Sequence, residues 1–157
     1  MDKKRYFGLW MKGNKMSVYH IVINPAGASG RTNECWDIIK KELDTIGVDY
    51  KVHLSNLEHG IKEIMQELTS TNERVNIILI GGDGSMNLAV NGIVNFKNTY
   101  LGLIPCGSGN DLAKSLGIHG TEIECLHRIL NDQHGKDLDV GVLTYHTRYD
   151  EKGNKVS

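Results

Sequence analysis

Much of what a sequence of this length can carry is missing here. The chain of 157 residues has no apolar run near the ~18 residues that a membrane-spanning helix needs, so any membrane contact is expected to be peripheral. It has no excess of charge of either sign. A formal net charge of -1 argues against nucleic acid as a partner and against a polybasic membrane patch. The three cysteines, Cys35, Cys106 and Cys125, are an odd number with no metal-ligand spacing, so free thiols in a reducing cytoplasm are expected. The seven histidines show no H-x-x-x-H spacing, which argues against a structural zinc site. There is no internal repeat and no low-complexity tract. Residues 1–16 are basic and carry Phe7, Leu9 and Trp10. They lack the apolar core of a signal peptide and read as an N-terminal extension. Two nucleotide motifs are also absent. No G-x-x-x-x-G-K-[ST] occurs, which excludes a P-loop, and no G-x-G-x-x-G opens the first helix, which argues against a dinucleotide site.

Three glycine-rich loops are present instead. They are Asn24-Pro25-Ala26-Gly27-Ala28-Ser29-Gly30, Gly81-Gly82-Asp83-Gly84-Ser85 and Pro105-Cys106-Gly107-Ser108-Gly109-Asn110-Asp111. Each follows a short apolar run and precedes a helix-like pattern. A parallel sheet places all such loops on one edge, where open α/β sheets bind nucleotides and phosphates.

The rest of the chain supports that sheet. Val18 to Ile23 reads as a strand that stops at Asn24-Pro25. Cys35, Trp36, Ile38, Ile39, Leu43 and Ile46 recur at helical spacing, and Gly47 stands where a helix C-cap belongs. Val48 to Leu54 reads as a second strand, and Ile61, Ile64, Met65 and Leu68 mark a second helix. The nearly continuous apolar run Val75 to Ile80 suits a strand covered on both faces. A third helix is expected from Ser85 to about Asn95 and a strand from Tyr100 to Ile104. A short helix is expected near Asn110 and another from Glu122 to Asn131. The alternation predicts a doubly wound α/β fold, mostly parallel, with helices on both faces. Asp139 to Tyr145 reads as a strand, and Asp150 to Asn154 as a turn with only Lys155, Val156 and Ser157 after it. The sequence therefore reads as a fragment: residues 17–145 an α/β domain, residues 146–157 the start of a truncated β-domain. The unpaired β-edge expected there would favour a homodimer.

In the loops, glycine permits positive φ and lets backbone N–H groups approach an anion. Ser85 is a good N-cap for the helix after Gly81 and Gly82, where a phosphate would meet converging N–H groups. Asp83 is the exception, since a carboxylate repels phosphates unless a cation lies between. It points to Mg²⁺, a ribose hydroxyl or a proton-accepting role, against the plainer reading of a turn-capping Asp. Asn87 lies four residues on and reaches the same face, or is simply a surface amide. Ser108 offers a hydroxyl, while Asn110 is well explained as a helix cap. Asp111 is a second acid near the same edge. Arg31 and Lys114 stand just after glycine loops, as phosphate partners or as solvated helix-start residues. Cys106 reads as a small buried residue rather than a nucleophile.

Ile21-Val22-Ile23-Asn24-Pro25, Gly81-Gly82-Asp83-Gly84-Ser85 with Asn87 and Val90-Asn91-Gly92, and Pro105-x-Gly-Ser-Gly-Asn-Asp111 together resemble the catalytic domain of the diacylglycerol kinase family, from about Val18 to Val142. The family includes bacterial lipid kinases and sphingosine kinases. The resemblance implies transfer of the γ-phosphoryl group of ATP to a lipid hydroxyl, with Mg²⁺, most naturally on diacylglycerol. It implies that Asn24, Pro25, Ala26, Gly27, Ala28, Ser55, Gly81, Gly82, Asp83, Gly84, Ser85, Met86, Asn87 and Ser108 line the ATP site. It implies a catalytic role for Asp83, and places Asp83, Asp111 and Asp139 around the nucleotide in a metal-linked network. Ser85 stands where the family usually has threonine, which keeps the hydroxyl. In the family a second, β-rich domain supplies the general base, most metal ligands and the lipid cleft. A cytoplasmic protein with peripheral contact at the inner membrane face follows. Two other readings stay open. One is a soluble-substrate kinase, since NAD kinases and phosphofructokinases share the Gly-Gly-Asp-Gly loop. The other is a stand-alone nucleotide-binding module without catalysis.

Overall fold

The computed structural model describes residues 17–132, 135–142, 148–149 and 155–156. Four strands, β1 (Tyr19–Ile23), β2 (Tyr50–Leu54), β3 (Val75–Gly81) and β4 (Thr99–Pro105), form one parallel sheet in the order β2-β1-β3-β4. Five α-helices accompany them among the described residues: α1 (Arg31–Ile46), α2 (Ile61–Thr69), α3 (Asp83–Gly92), α4 (Asp111–Ser115) and α5 (Glu122–Asn131).

The strand order fixes where the helices go. From β1 the chain steps one way to β2, then passes over β1 to reach β3 on the other side. Right-handed crossovers running in opposite directions put their helices on opposite faces. The core is accordingly split in two. On one face Ile21, Ile23, Ile78, Ile80 and Ile104 pack against Ile39 and Leu43 of α1 and Leu126 and Leu130 of α5. On the other, Val22, Ile77, Leu79 and Leu103 pack against Ile61, Ile64 and Met65 of α2 and Met86 and Ala89 of α3. Alternate residues of one strand thus serve opposite layers. Every residue of β3 is buried, which is why its sequence, apart from Asn76, reads as an apolar run.

Helix ends follow local chemistry. Gly47 takes a left-handed φ of 73°, and its N–H donates to the Leu43 carbonyl at 3.0 Å, which ends α1 as expected. Thr121 and Glu124 form a reciprocal capping box at the start of α5, with bonds of 3.2 and 2.7 Å. The third helix begins earlier than the sequence suggests, at Asp83 rather than Ser85. The extended Gly82 is its N-cap, so Ser85 is already inside the first turn.

Residues 139–142 form no strand, contrary to expectation. Leu138, Val140 and Val142 alternate as a strand would, but all three are exposed, and no sheet edge among the described residues pairs with them. The rest of that expected strand and the turn at 150–154 lie outside the described residues, as does the N-terminal extension. A two-residue strand β5 (Arg148–Tyr149), beyond the strand expected at 139–145, pairs antiparallel with β6 (Lys155–Val156).

The expectation of free thiols fails for two cysteines. Cys35 and Cys106 are joined in a disulfide across 71 residues of chain, with Cα atoms 6.8 Å apart. Helix α1 lies over the sheet face that Cys106 enters from β4, so topology brings together what the sequence separates. Cys125 is a buried free thiol in the same layer.

Two consequences can be measured. Ile78 is fully buried in the middle of β3, so Ile78→Ala should cost about 2–5 kcal/mol in urea-unfolding free energy. The second concerns His20 and His53, diagonal neighbours on β1 and β2 with ring nitrogens 2.9 Å apart. Both imidazoles are held below the ordinary value of 6.5, chiefly by burial; for His20 the charges of His53 and Lys51 add to it, and for His53 that of Lys51. The unfolded chain therefore binds more protons than the folded one as pH falls through 6.5. The urea midpoint should drop across that interval, and His20→Gln with His53→Gln should flatten the drop.

Candidate functional site

All three glycine loops leave the carboxyl ends of the strands, on the edge of the sheet where β1 and β3 diverge to opposite faces. This is the topological switch point at which open α/β sheets take ligands.

The first loop folds onto itself. The Asn24 side chain accepts from the Ala26 N–H at 3.1 Å, and its carbonyl accepts from the Gly27 N–H at 2.9 Å. Ala28, Ser29 and Gly30 then take successive left-handed conformations with φ of 51°, 55° and 90°. Thr32, fully buried at the start of α1, donates its hydroxyl to the Gly27 carbonyl at 3.1 Å and fastens the loop from below. Ser55 lies beside the root of this loop, its N–H bonded to the Ile23 carbonyl at 2.9 Å.

The second and third loops are packed backbone to backbone. A Cβ on Gly107 would lie 2.8 Å from the Gly82 Cα, and one on Gly82 would lie 3.0 Å from the Gly107 Cα. Neither position has room for a side chain. The Cys106 N–H extends the β3–β4 ladder to the Gly81 carbonyl at 2.9 Å. Asn110 closes the third loop on itself: its side chain accepts from the Gly107 N–H at 2.9 Å and donates to the Gly107 carbonyl at 2.7 Å.

That engagement takes Asn110 away from the capping role expected of it. The cap of α4 comes instead from Asp83, on a different loop. Its two carboxylate oxygens accept from the N–H groups of Asp111 and Leu112 at 2.9 and 3.1 Å. These donors, with smaller help from the Lys114 charge, hold the Asp83 carboxyl below the usual carboxylate range. Asp83 is thus a bracket between the two loops. Sequence reasoning left this unseen, because its partners stand 28 and 29 residues away.

The first hydrogen bond of α3 runs from the Met86 N–H to the Gly82 carbonyl at 3.0 Å. The N–H groups of Asp83, Gly84 and Ser85 therefore fall outside the helical ladder, at the positive end of the helix. A Cβ at Gly84 would meet nothing within 4 Å, so the space over this turn is open. The Met86 side chain points away, into the core under α3, so only its backbone belongs to the edge. Asn87 and Ser108 are exposed, and Asn87 bonds to Asn91 at 2.6 Å. The Asp83 and Asp111 carboxylates both lie within 4 Å of the Cβ position of Gly109. Asp139 is exposed in the segment after α5. Among the described residues no group of three or more His, Cys, Asp or Glu gathers as metal ligands. Arg31 and Lys114 do converge: they line one cavity of about 320 Å³ with Pro105, Asn110, His119 and Glu122.

The model of the diacylglycerol kinase catalytic domain matches residues 18–143, which hold all four strands of the parallel sheet and all three loops. The chain belongs to the diacylglycerol kinase catalytic domain family. Diacylglycerol kinase of Bacillus subtilis (strain 168) is 33% identical over 130 residues, covering 77% of this chain and 40% of that protein. Sphingosine kinase 2 of Homo sapiens is 26% identical over 107 residues, covering 64% of this chain and 16% of that protein. A crystal structure of a diacylglycerol kinase from Bacillus anthracis str. Sterne superposes with a TM-score of 0.54 at 26% identity, covering 69% of this chain and 39% of that one. The family chain described here spans between 16% and 40% of the length of these curated relatives. No helix of the described residues is long and apolar enough to cross a membrane.

If Asp83 brackets the loops, Asp83→Ala should speed hydrogen exchange at the Asp111 and Leu112 amides while leaving the amides of β3 protected. Asp83→Asn, which keeps one acceptor oxygen, should fall between. NMR exchange on the three proteins checks this, and unchanged protection at Asp111 would remove the bracket.

Proposed function

We propose that this chain is the nucleotide-binding part of an ATP-dependent lipid kinase, whose whole protein transfers the γ-phosphoryl group of ATP to a lipid hydroxyl, with diacylglycerol as the preferred acceptor. One observation carries the reading. In a chain of this family, the three glycine loops share one sheet edge, and the N–H groups of Asp83, Gly84 and Ser85 are left over at an open helix start. Phosphate oxygens are the natural acceptors for such donors.

The residues divide the work as follows. Asn24, Pro25, Ala26, Gly27 and Ala28 form one wall and Gly81 to Ser85 the other, with Ser55 and Asn87 at the margins. Ser108 offers its hydroxyl from the tip of the third loop. The close approach of Gly82 and Gly107 keeps side chains out of the floor. Mg²⁺ fits here in part: Asp83 and Asp111 put two carboxylates beside Gly109, which suits a hard cation that also takes phosphate oxygens. When bound with the nucleotide it supplies neutralisation of phosphate charge. Asp139 is not drawn into that pair. A carboxylate held below its usual range accepts protons poorly near neutral pH, so Asp83 acts by positioning loops rather than as the base.

The proposal extends to the rest of the protein. Residues 17–145 are the kinase domain and 146–157 open a second, β-rich domain that carries the general base and the lipid cleft. The working location is the cytoplasm with peripheral contact at the inner membrane face. A homodimer through an exposed strand edge is the expected association, and nucleic acid is not a partner.

ATP with Mg²⁺ should stabilise the chain, by about 1.4 kcal/mol at a tenfold excess over its Kd. Gly82→Val, which sets a side chain against the Gly107 backbone, should abolish the thermal shift. No shift at millimolar ATP would sink the nucleotide site. Assay of the full-length protein on diacylglycerol, sphingosine and NAD then separates a lipid kinase from a soluble-substrate kinase.

A further inference from the structure

We propose that Cys35 and Cys106 are a reversible redox pair that switches the loop edge between a stapled and an unstapled form. The bond lies where it can matter. Cys35 sits on α1, which issues from the first glycine loop. Cys106 stands between β4 and Gly107, and its own N–H holds the Gly81 carbonyl of the second loop at 2.9 Å. One covalent link therefore ties the helix of the first loop to the junction of the other two. Both cysteines are buried, at 2% and 1% exposure, in a layer with Ile39 and Ile104.

The reduced form is also provided for. The Cys35 sulfur lies 3.7 Å from a carboxylate oxygen of Glu122, which can accept the thiol hydrogen when the bond is open. The third cysteine stands aside: the Cys125 sulfur faces the His119 carbonyl at 3.8 Å, and burial pushes its thiol up, away from the reactive thiolate. Glu122, Cys125 and Pro105, the neighbour of Cys106, line the cavity of about 320 Å³ beside the third loop; Cys35 and Cys106 lie behind this wall, so exchange at the pair needs the wall to open.

The oxidant is a small disulfide such as oxidised glutathione. The Cys35 thiolate attacks one of its sulfurs and expels a first glutathione thiolate. The Cys106 thiolate attacks the mixed disulfide at the Cys35 sulfur and expels the second. Two protein thiols are oxidised and one glutathione disulfide is reduced, and the two protons end on the two glutathione thiols. Reduction by excess glutathione runs the same steps backward.

Incubating the full chain with oxidised or reduced glutathione, then denaturing, alkylating and weighing it, tests the pair. Oxidised protein should carry one alkylated cysteine, Cys125, and reduced protein three. Cys35→Ser should leave both remaining cysteines alkylated in oxidised glutathione, Cys106→Ser should hold one glutathione on Cys35 with Cys125 alone alkylated, and Cys125→Ser should keep the bond. The melting temperature should fall on reduction in wild type and not in Cys35→Ser. The affinity readout rests on the nucleotide reading above: Kd for ATP with Mg²⁺ should weaken on reduction by about 5-fold or more in wild type, and stay unchanged in Cys35→Ser. Three alkylated cysteines in oxidised glutathione, a bond made through Cys125, or a bond that reduced glutathione cannot open would each overturn the pair. Equal affinity in both states would overturn the switch. Failure to bind ATP in either state, with the thiol counts as expected, would count against the nucleotide reading and leave the pair standing.

Discussion

The carboxylate of Asp83 holds the loop edge together. Its two oxygens take the first two amides of α4, so a side chain of the second glycine loop fixes the backbone of the third. The loops are pressed against each other at Gly82 and Gly107, where no side chain could intervene. A contact so close between backbones gains little from packing and needs a directional bond to set its register. The charge-assisted bonds from Asp83 supply that direction.

The same arrangement explains why Asn110 is left-handed. Released from capping, its side chain folds back on Gly107 and closes the third loop from inside. Two polar residues have divided a task that either alone would do incompletely. One crosses between loops and one stays within its own. The result is a rigid floor with donors left over above it, at the start of α3.

The alternation of apolar runs and helical stripes was legible because local chemistry decides it. The buried run of β3, the Cys35–Ile39–Leu43 stripe and Gly47 each carry their own signal. The glycine loops were legible for the same reason. What stayed hidden depends on distance along the chain. The partners of Asp83 and of Cys35 are set by topology, and no local pattern announces them. Met86 read as a site residue from its place in a motif, yet helical geometry turns its side chain into the core. The segment at 139–142 shows the converse, a pattern without a partner edge. For Ser85 the expected cap stood three residues too late, since the extended Gly82 caps the helix.

The position of β1 carries a consequence for how the protein is made. Of the four strands of this sheet it is the first to be synthesised, yet it ends up between two neighbours. Pairing with β2 covers only one of its edges. The other waits until α1, β2, α2 and finally β3 have been synthesised, and through that time the apolar residues Ile21, Val22 and Ile23 lack half their shelter. A nascent chain with an open, apolar parallel edge is a target for chaperones and for misassembly. The central placement that gives the finished sheet its crevice at the switch point also makes its earliest strand the last to be fully protected.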